Sequence, residues 1–288
     1  PVRKLIVHER GTVWNQKSNN WAVPCFVAWK ATLLLSNSLA TKTMLVKKFS
    51  IPERKIQVLH NGINTSLNYD CSGNYEKNNS VFRIGFIGRL ESHKGIHVLI
   101  DAMRYLSDAN IKLIIAGEGE LGSMLRNNAS KLNNVKFIGR IKNPYSFMNT
   151  IDLLVVPSIR EPLGNVCLEA GLCKVPVLAT NVDGLPEIID NGLSGELIDA
   201  TDQVLIDLPE NSIPLPEFVV NPDTKNLDIP KQINSSLLAK KILELSKNPK
   251  KLTVYADKLH DKVMSYFNIE RYRSELHKIY REIYSSSK

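Results

Sequence analysis

The sequence predicts an α/β protein built around a doubly wound parallel sheet. Three observations carry that expectation. Short continuous runs rich in Ile, Leu and Val recur along the chain, helix-length amphipathic stretches separate them, and the junctions hold Gly, Pro and Asn. With 288 residues, 43% of them hydrophobic and 23% charged, the chain suits one large globular domain or two small ones. That composition excludes disorder as the main state. It also excludes a spanning helix: the longest strongly apolar stretch, Ala22 to Trp29, is interrupted by Pro24 and ends at Lys30, short of the ~20 residues a bilayer requires.

Taken in order, residues 4–8, 31–36 and 56–59 read as strands, with a basic amphipathic helix from Ser38 to Phe49. Asn61-Gly62 marks a turn, and the Asn-rich residues 68–80 have linker composition. A regular alternation follows: strand Val81–Ile87, helix Gly95–Leu106, strand Ile111–Ala116, helix Leu121–Leu132, strand Val135–Ile138 and short helix Pro144–Asn149. It continues with strand Leu153–Val156, helix Asn165–Cys173, strand Val177–Ala179 and short helix Leu185–Asp190. Residues 201–235 carry five prolines and read as an inserted surface loop. Two amphipathic helices close the chain from Ser236, the last over Ile269–Tyr284.

Charge and cysteine usage narrow the function classes. Residues 1–80 hold 11 Lys and Arg against 4 Asp and Glu, so most of the net charge of +8 lies there. A nucleic-acid surface, an anionic membrane, a phosphorylated acceptor and a plain solvated face all fit that excess. No nucleic-acid motif accompanies it, and nucleic acid is not expected as a partner. Cys25, Cys71, Cys167 and Cys173 show no CxxC spacing and read as reduced thiols of a cytoplasmic protein. No DxD and no metal-ligand cluster occurs.

In parallel sheets ligands bind beyond the carboxyl ends of the strands, so the residues after each strand are the candidates. Gly88 to Gly95 sets Arg89 and Lys94 near a helix start, which suits a phosphate or diphosphate. Cations at a strand end are, more often than not, a solvated loop. Gly117 to Gly122 matches GxGxxG, but the next strand ends at Gly139-Arg140 without an acid, so the motif reads as a tight structural turn. After Leu153–Val156 the loop carries Glu161, the following helix carries Glu169, and that helix opens near Gly164 with its amides free for an anion. Two carboxylates facing two cations across one crevice outweigh the reading of a solvated helix face.

These residues resemble the donor-binding half of family-four retaining glycosyltransferases (glycosyl transferases group 1), with the GT-B fold. The resemblance rests on Gly88-Arg89…Lys94-Gly95, Phe137-Ile138-Gly139, Val156-Pro157-Ser158, the Glu161…Glu169 pair and Gly184-Leu185-Pro186-Glu187-Ile188. It implies two Rossmann-like domains with parallel sheets. Residues 1–64 would be the closing part of an acceptor-side domain whose start is absent, and 65–80 the linker. Residues 81–265 would form the donor domain, with an insertion at 201–235, and 266–288 a helix returning to the first domain.

The resemblance further implies a metal-independent, retaining transfer of a hexose from a UDP- or GDP-sugar, with no cofactor. The acceptor would be a glycan or a lipid-linked sugar of cell-surface polysaccharide or lipopolysaccharide synthesis. Peripheral contact with the inner face of the cytoplasmic membrane is compatible with it. Arg89, Lys94, Glu161 and His8 are implied as catalytic. Gly88, Gly139, Arg140, Ile141, Leu163, Gly164, Asn165 and Glu169 are implied as donor-binding. A GT-B epimerase or phosphorylase, or a non-catalytic nucleotide-sugar-binding protein, are the alternatives. Asp183 stands where such relatives often carry a first glycine, and Asn64 where they often carry Asp.

Overall fold

The computed structural model describes residues 4–11, 21–66, 81–210 and 212–285. Most of the expected linker, residues 67–80, lies outside them, as does Cys71. The elements run β1 (Ile6–Glu9), α1 (Ala22–Lys30), β2 (Leu33–Ser36), α2 (Leu39–Phe49) and β3 (Ile56–Val58). Then come β4 (Phe82–Ile87), α3 (Ile96–Arg104), β5 (Ile111–Ala116), α4 (Gly122–Asn128), β6 (Val135–Gly139), α5 (Pro144–Met148) and β7 (Leu153–Val156). They are followed by α6 (Asn165–Leu172), β8 (Val177–Thr180), α7 (Leu185–Ile188), β9 (Glu196–Ile198) and β10 (Asp202–Gln203). The chain continues through β11 (Val219–Val220), β12 (Leu227–Asp228), β13 (Lys231–Gln232), α8 (Ser235–Ser246), α9 (Pro249–Ser265) and α10 (Ile269–Ser285).

β1, β2 and β3 form a three-stranded parallel sheet, and a six-stranded parallel sheet has the order β6-β5-β4-β7-β8-β9. This is the GT-B fold. β7 shows why continuous apolar runs were needed. Leu153 and Val155 enter one core with Ile84, Phe86 and Leu113, while Leu154 and Val156 enter the other with Val177 and Leu185. Strand side chains alternate faces, so a strand covered by helices on both sides must be apolar at every position. The strand order reverses between β4 and β7, which places a crevice beyond their carboxyl ends.

Three departures from the sequence reading have local causes. α1 is a helix across Pro24, whose missing N–H falls among the first-turn donors that lack helical partners anyway. Three helices, not two, close the chain, because Asn248 accepts from the Lys251 N–H at 3.1 Å and Pro249 opens a new helix. The segment 201–235 is not a plain surface loop. Its described residues form two short antiparallel ladders, β10 with β13 and β11 with β12, and bury Val219 and Val220.

α10 runs back to the smaller sheet, where Ile279 packs with Leu35 and Leu59, and Tyr272 and Leu276 add to the cluster. Backbone bonds from Ile63 to Phe267 (2.7 Å) and from Ile269 to Ile63 (2.9 Å) stitch the crossing together. No described helix is long and apolar enough to cross a membrane.

Candidate functional site

The crevice at the strand-order reversal is a cavity of about 400 Å3, lined by Gly88, Arg89 and Lys94 from the β4 loop and by Glu161 to Glu169 from the β7 loop and α6. Both loops are held by the same backbone group. The His93 carbonyl accepts from the Ile159 N–H at 2.9 Å and the Arg160 N–H at 3.3 Å, so the β4 loop and the β7 loop move as one. His93 itself is buried and kept neutral, its pKa pushed far down by burial and by Arg160, Lys94 and Arg89.

At the floor, Lys94 Nζ donates to Glu161 Oε2 at 2.7 Å, with both side chains largely buried. Arg89 pairs with Glu91 at the rim, its own side chain mostly exposed. Two cations and the start of α6 therefore face one cavity. Gly164 caps that helix with φ +100°, a left-handed conformation that a side chain opposes, and an added Cβ would lie 2.7 Å from Leu185 Cδ2. The arrangement presents Leu163, Gly164 and Asn165 to the cavity.

Glu169 lies further along α6 and lines this cavity and two neighbours, of about 260 and 700 Å3. Burial raises its pKa to about 7. Gly88, Arg89, Arg140 and Ile141 share the 700 Å3 cavity with it, while Gly139 ends β6 in a left-handed turn just before them. The GxGxxG loop lies there too, and its glycines answer a packing need. An added Cβ at Gly117 would sit 1.8 Å from the Gly88 carbonyl oxygen.

His8 is the expected site residue that the structure places apart. Its Nε2 lies 3.4 Å from the Tyr280 hydroxyl of α10, and it lines none of the three cavities. Both residues meet α10, His8 at Tyr280 and Arg10 at Tyr272, about two turns nearer the helix start. Arg10 donates to the Tyr272 hydroxyl at 3.1 Å and lines both the 400 and 260 Å3 cavities. Sequence reasoning missed Arg10, which lies in the bend just past the end of β1.

Three further residues enter the site that were not counted among the catalytic or donor-binding candidates, although Asp183 was noted as a departure from the family pattern. Asn61 donates to Asn165 Oδ1 at 2.8 Å, tying the turn after β3 to the start of α6. Glu187 accepts the Leu39 and Ala40 N–H groups at the start of α2, at 2.8 and 2.9 Å, and contacts His60 Nε2 at 2.6 Å. Asp183 is buried beneath the β7 loop and accepts the Glu161 N–H at 2.8 Å. Among the described residues no group of His, Cys, Asp and Glu could hold a metal ion.

Comparison with known proteins follows this geometry. Residues 72–207 match the family described as glycosyl transferases group 1. The chain is 32% identical over 182 residues to an uncharacterized glycosyltransferase of Methanocaldococcus jannaschii, covering 58% of this chain and 47% of that protein. It is 30% identical over 187 residues to the capsular polysaccharide biosynthesis glycosyltransferase CapM of Staphylococcus aureus, covering 60% and 49%. The match thus spans about half the length of these relatives. A crystal structure of Anabaena HepE with UDP and glucose superposes with a TM-score of 0.76 at 22% identity, over 97% of this chain and 72% of that one.

Proposed function

We propose, from the match of residues 72–207 to the glycosyl transferases group 1, that the protein transfers a hexose from a nucleotide diphosphate sugar. The observation that carries this reading is the Lys94–Glu161 pair, 2.7 Å apart at the floor of a cavity that Glu169 and the start of α6 also line. The donor's diphosphate lies against Arg89, Lys94 and the first amides of α6. As the glycosidic bond breaks, negative charge grows on the diphosphate, and fixed cations and amides in a partly water-free cleft stabilise it. Glu161 accepts from hydroxyls of the sugar, and Glu169 from those of the ribose. Gly139, Arg140 and Ile141 flank the base.

UDP is the favoured nucleotide, because the similar HepE structure holds UDP and glucose. A glycan or lipid-linked acceptor in polysaccharide synthesis is favoured by the likeness to CapM and to a Campylobacter jejuni transferase named for a diphospho-undecaprenol-linked sugar. Transfer proceeds with retention at the anomeric carbon and with the protein's cations neutralising the leaving group. His8, at Tyr280, has no part in this reading as the structure stands; Arg10 takes the matching side of the cleft.

The test is transfer from UDP-glucose measured on the wild type and on Lys94→Ala. Turnover in the variant should fall by roughly 10²–10³, the usual cost of removing one group that stabilises developing charge. Equal turnover would remove Lys94 from the chemistry and overturn the assignment. The anomeric configuration of the product, read by proton NMR, decides retention.

A further inference from the structure

We propose that Asp183 is a positioning residue, pinning Glu161 to a strap formed by residues 212–220 that locks the donor-side loops to helix α2 of the smaller sheet. The proposal rests on the reading of Glu161 as a group that holds the transferred sugar. Asp183 is buried at 2% exposure and has φ +50°, a conformation that Asp adopts more readily than most residues. Its two carboxylate oxygens divide their work. Oδ2 accepts the Glu161 N–H at 2.8 Å and Oδ1 accepts the Val220 N–H at 2.6 Å. The Asp183 N–H donates in turn to the Val220 carbonyl at 3.0 Å, and the Gly184 N–H to the Glu161 carbonyl at 3.1 Å.

The strap touches three other parts of the molecule. The Ile213 N–H donates to Glu120 at 2.7 Å and the Ile213 carbonyl accepts from the Ser92 hydroxyl at 2.9 Å, so it grips the loops after β5 and β4. Val220 packs into the cluster of Ala40, Met44, Leu45 and Phe49, most of it on α2. Glu217 pairs at 3.2 Å with Lys48, a lysine whose side chain is 1% exposed. Burial pushes the Asp183 carboxyl pKa up to about 8 although both amide bonds pull it down, and losing either acceptor oxygen strands a buried N–H without water. One carboxylate serving both Glu161 and Val220 therefore couples the sugar-holding loop to the seam between the sheets. Glycine at this position supplies no such acceptor.

Asp183→Asn tests the coupling, because an amide presents a donor where one of the two N–H groups now finds an oxygen. Hydrogen exchange at the Glu161 or Val220 amide should quicken at least roughly tenfold, with amides of β4 and β5 unchanged. The kcat should fall roughly 10- to 100-fold, the usual cost of a misplaced positioning group, while UDP affinity stays within about twofold. Lys48→Met releases only the far end of the strap. It should lower kcat in the same way yet leave the Glu161 amide protected.

Unchanged exchange at both amides, or an equal rise across the whole sheet, overturns the proposal. Should Asp183→Asn fail to fold, normal kcat in Lys48→Met overturns it. The exchange arm needs no substrate, so failure of the glycosyltransferase reading would leave it standing.

Discussion

Glu169 joins burial and chemistry in one side chain. Burial raises its pKa to about 7, so near neutrality the empty protein holds it partly protonated. Accepting two vicinal hydroxyls suits the ionised form. Nucleotide affinity should therefore rise with pH, strengthening up to roughly tenfold between pH 6 and pH 8, and the dependence should vanish in Glu169→Gln. Stability runs the opposite way. A carboxyl whose pKa is raised on folding binds more protons folded than unfolded between its ordinary value and about 7, so stability falls as pH rises through that window. Urea midpoints of wild type and Glu169→Gln, compared at pH 5 and pH 8, would show it as a gap that opens at the higher pH. At this scale the sequence was most readable where a residue follows a strand in a parallel sheet. Lys94, Glu161 and Glu169 were singled out that way, and all three line one cavity. Arg10 was not, because it follows the end of β1 and reaches the cleft beside Tyr272 of α10, a contact that no local pattern encodes.

Elements followed the sequence where burial dictated the pattern. β4, β5 and β7 needed apolar residues on both faces and read as continuous runs. The strap was harder to see. Its prolines argue for a loop, and β11 and β12 are two residues each, paired with one another and, at Val220, with the distant Asp183. α6 gives the sharpest prediction among the elements. Gly164 opens it at φ +100°, against Leu185. Gly164→Ala should cost about 1–3 kcal/mol from backbone strain, read as a lowered urea midpoint, and should weaken nucleotide binding by tilting the α6 amides away. A variant with wild-type midpoint and affinity would show that the start of α6 does not need this conformation.

At the scale of the whole molecule, two parallel sheets are joined by few but specific contacts. Glu187 caps α2 and meets His60, Asn61 reaches Asn165, Asp183 holds the strap, and α10 packs back over the smaller sheet. Of these, the Asn61–Asn165 bond lies in the cleft itself, so there the seam and the site share residues. The GT-B fold was legible from several motifs in order, whereas the seam was not, since its contacts join residues more than a hundred positions apart, as Glu187 and Leu39 do. The excess of basic residues in 1–80 leaves no single mark on the described cleft apart from Arg10. On the proposed function, this cleft holds a nucleotide diphosphate, with Glu169 on the ribose. Calorimetric titration of UDP, GDP and ADP into the protein and into Glu169→Ala tests it most directly. Saturable binding of UDP over the other two, lost in the variant, is the predicted result; equal binding of UDP by both proteins would contradict it.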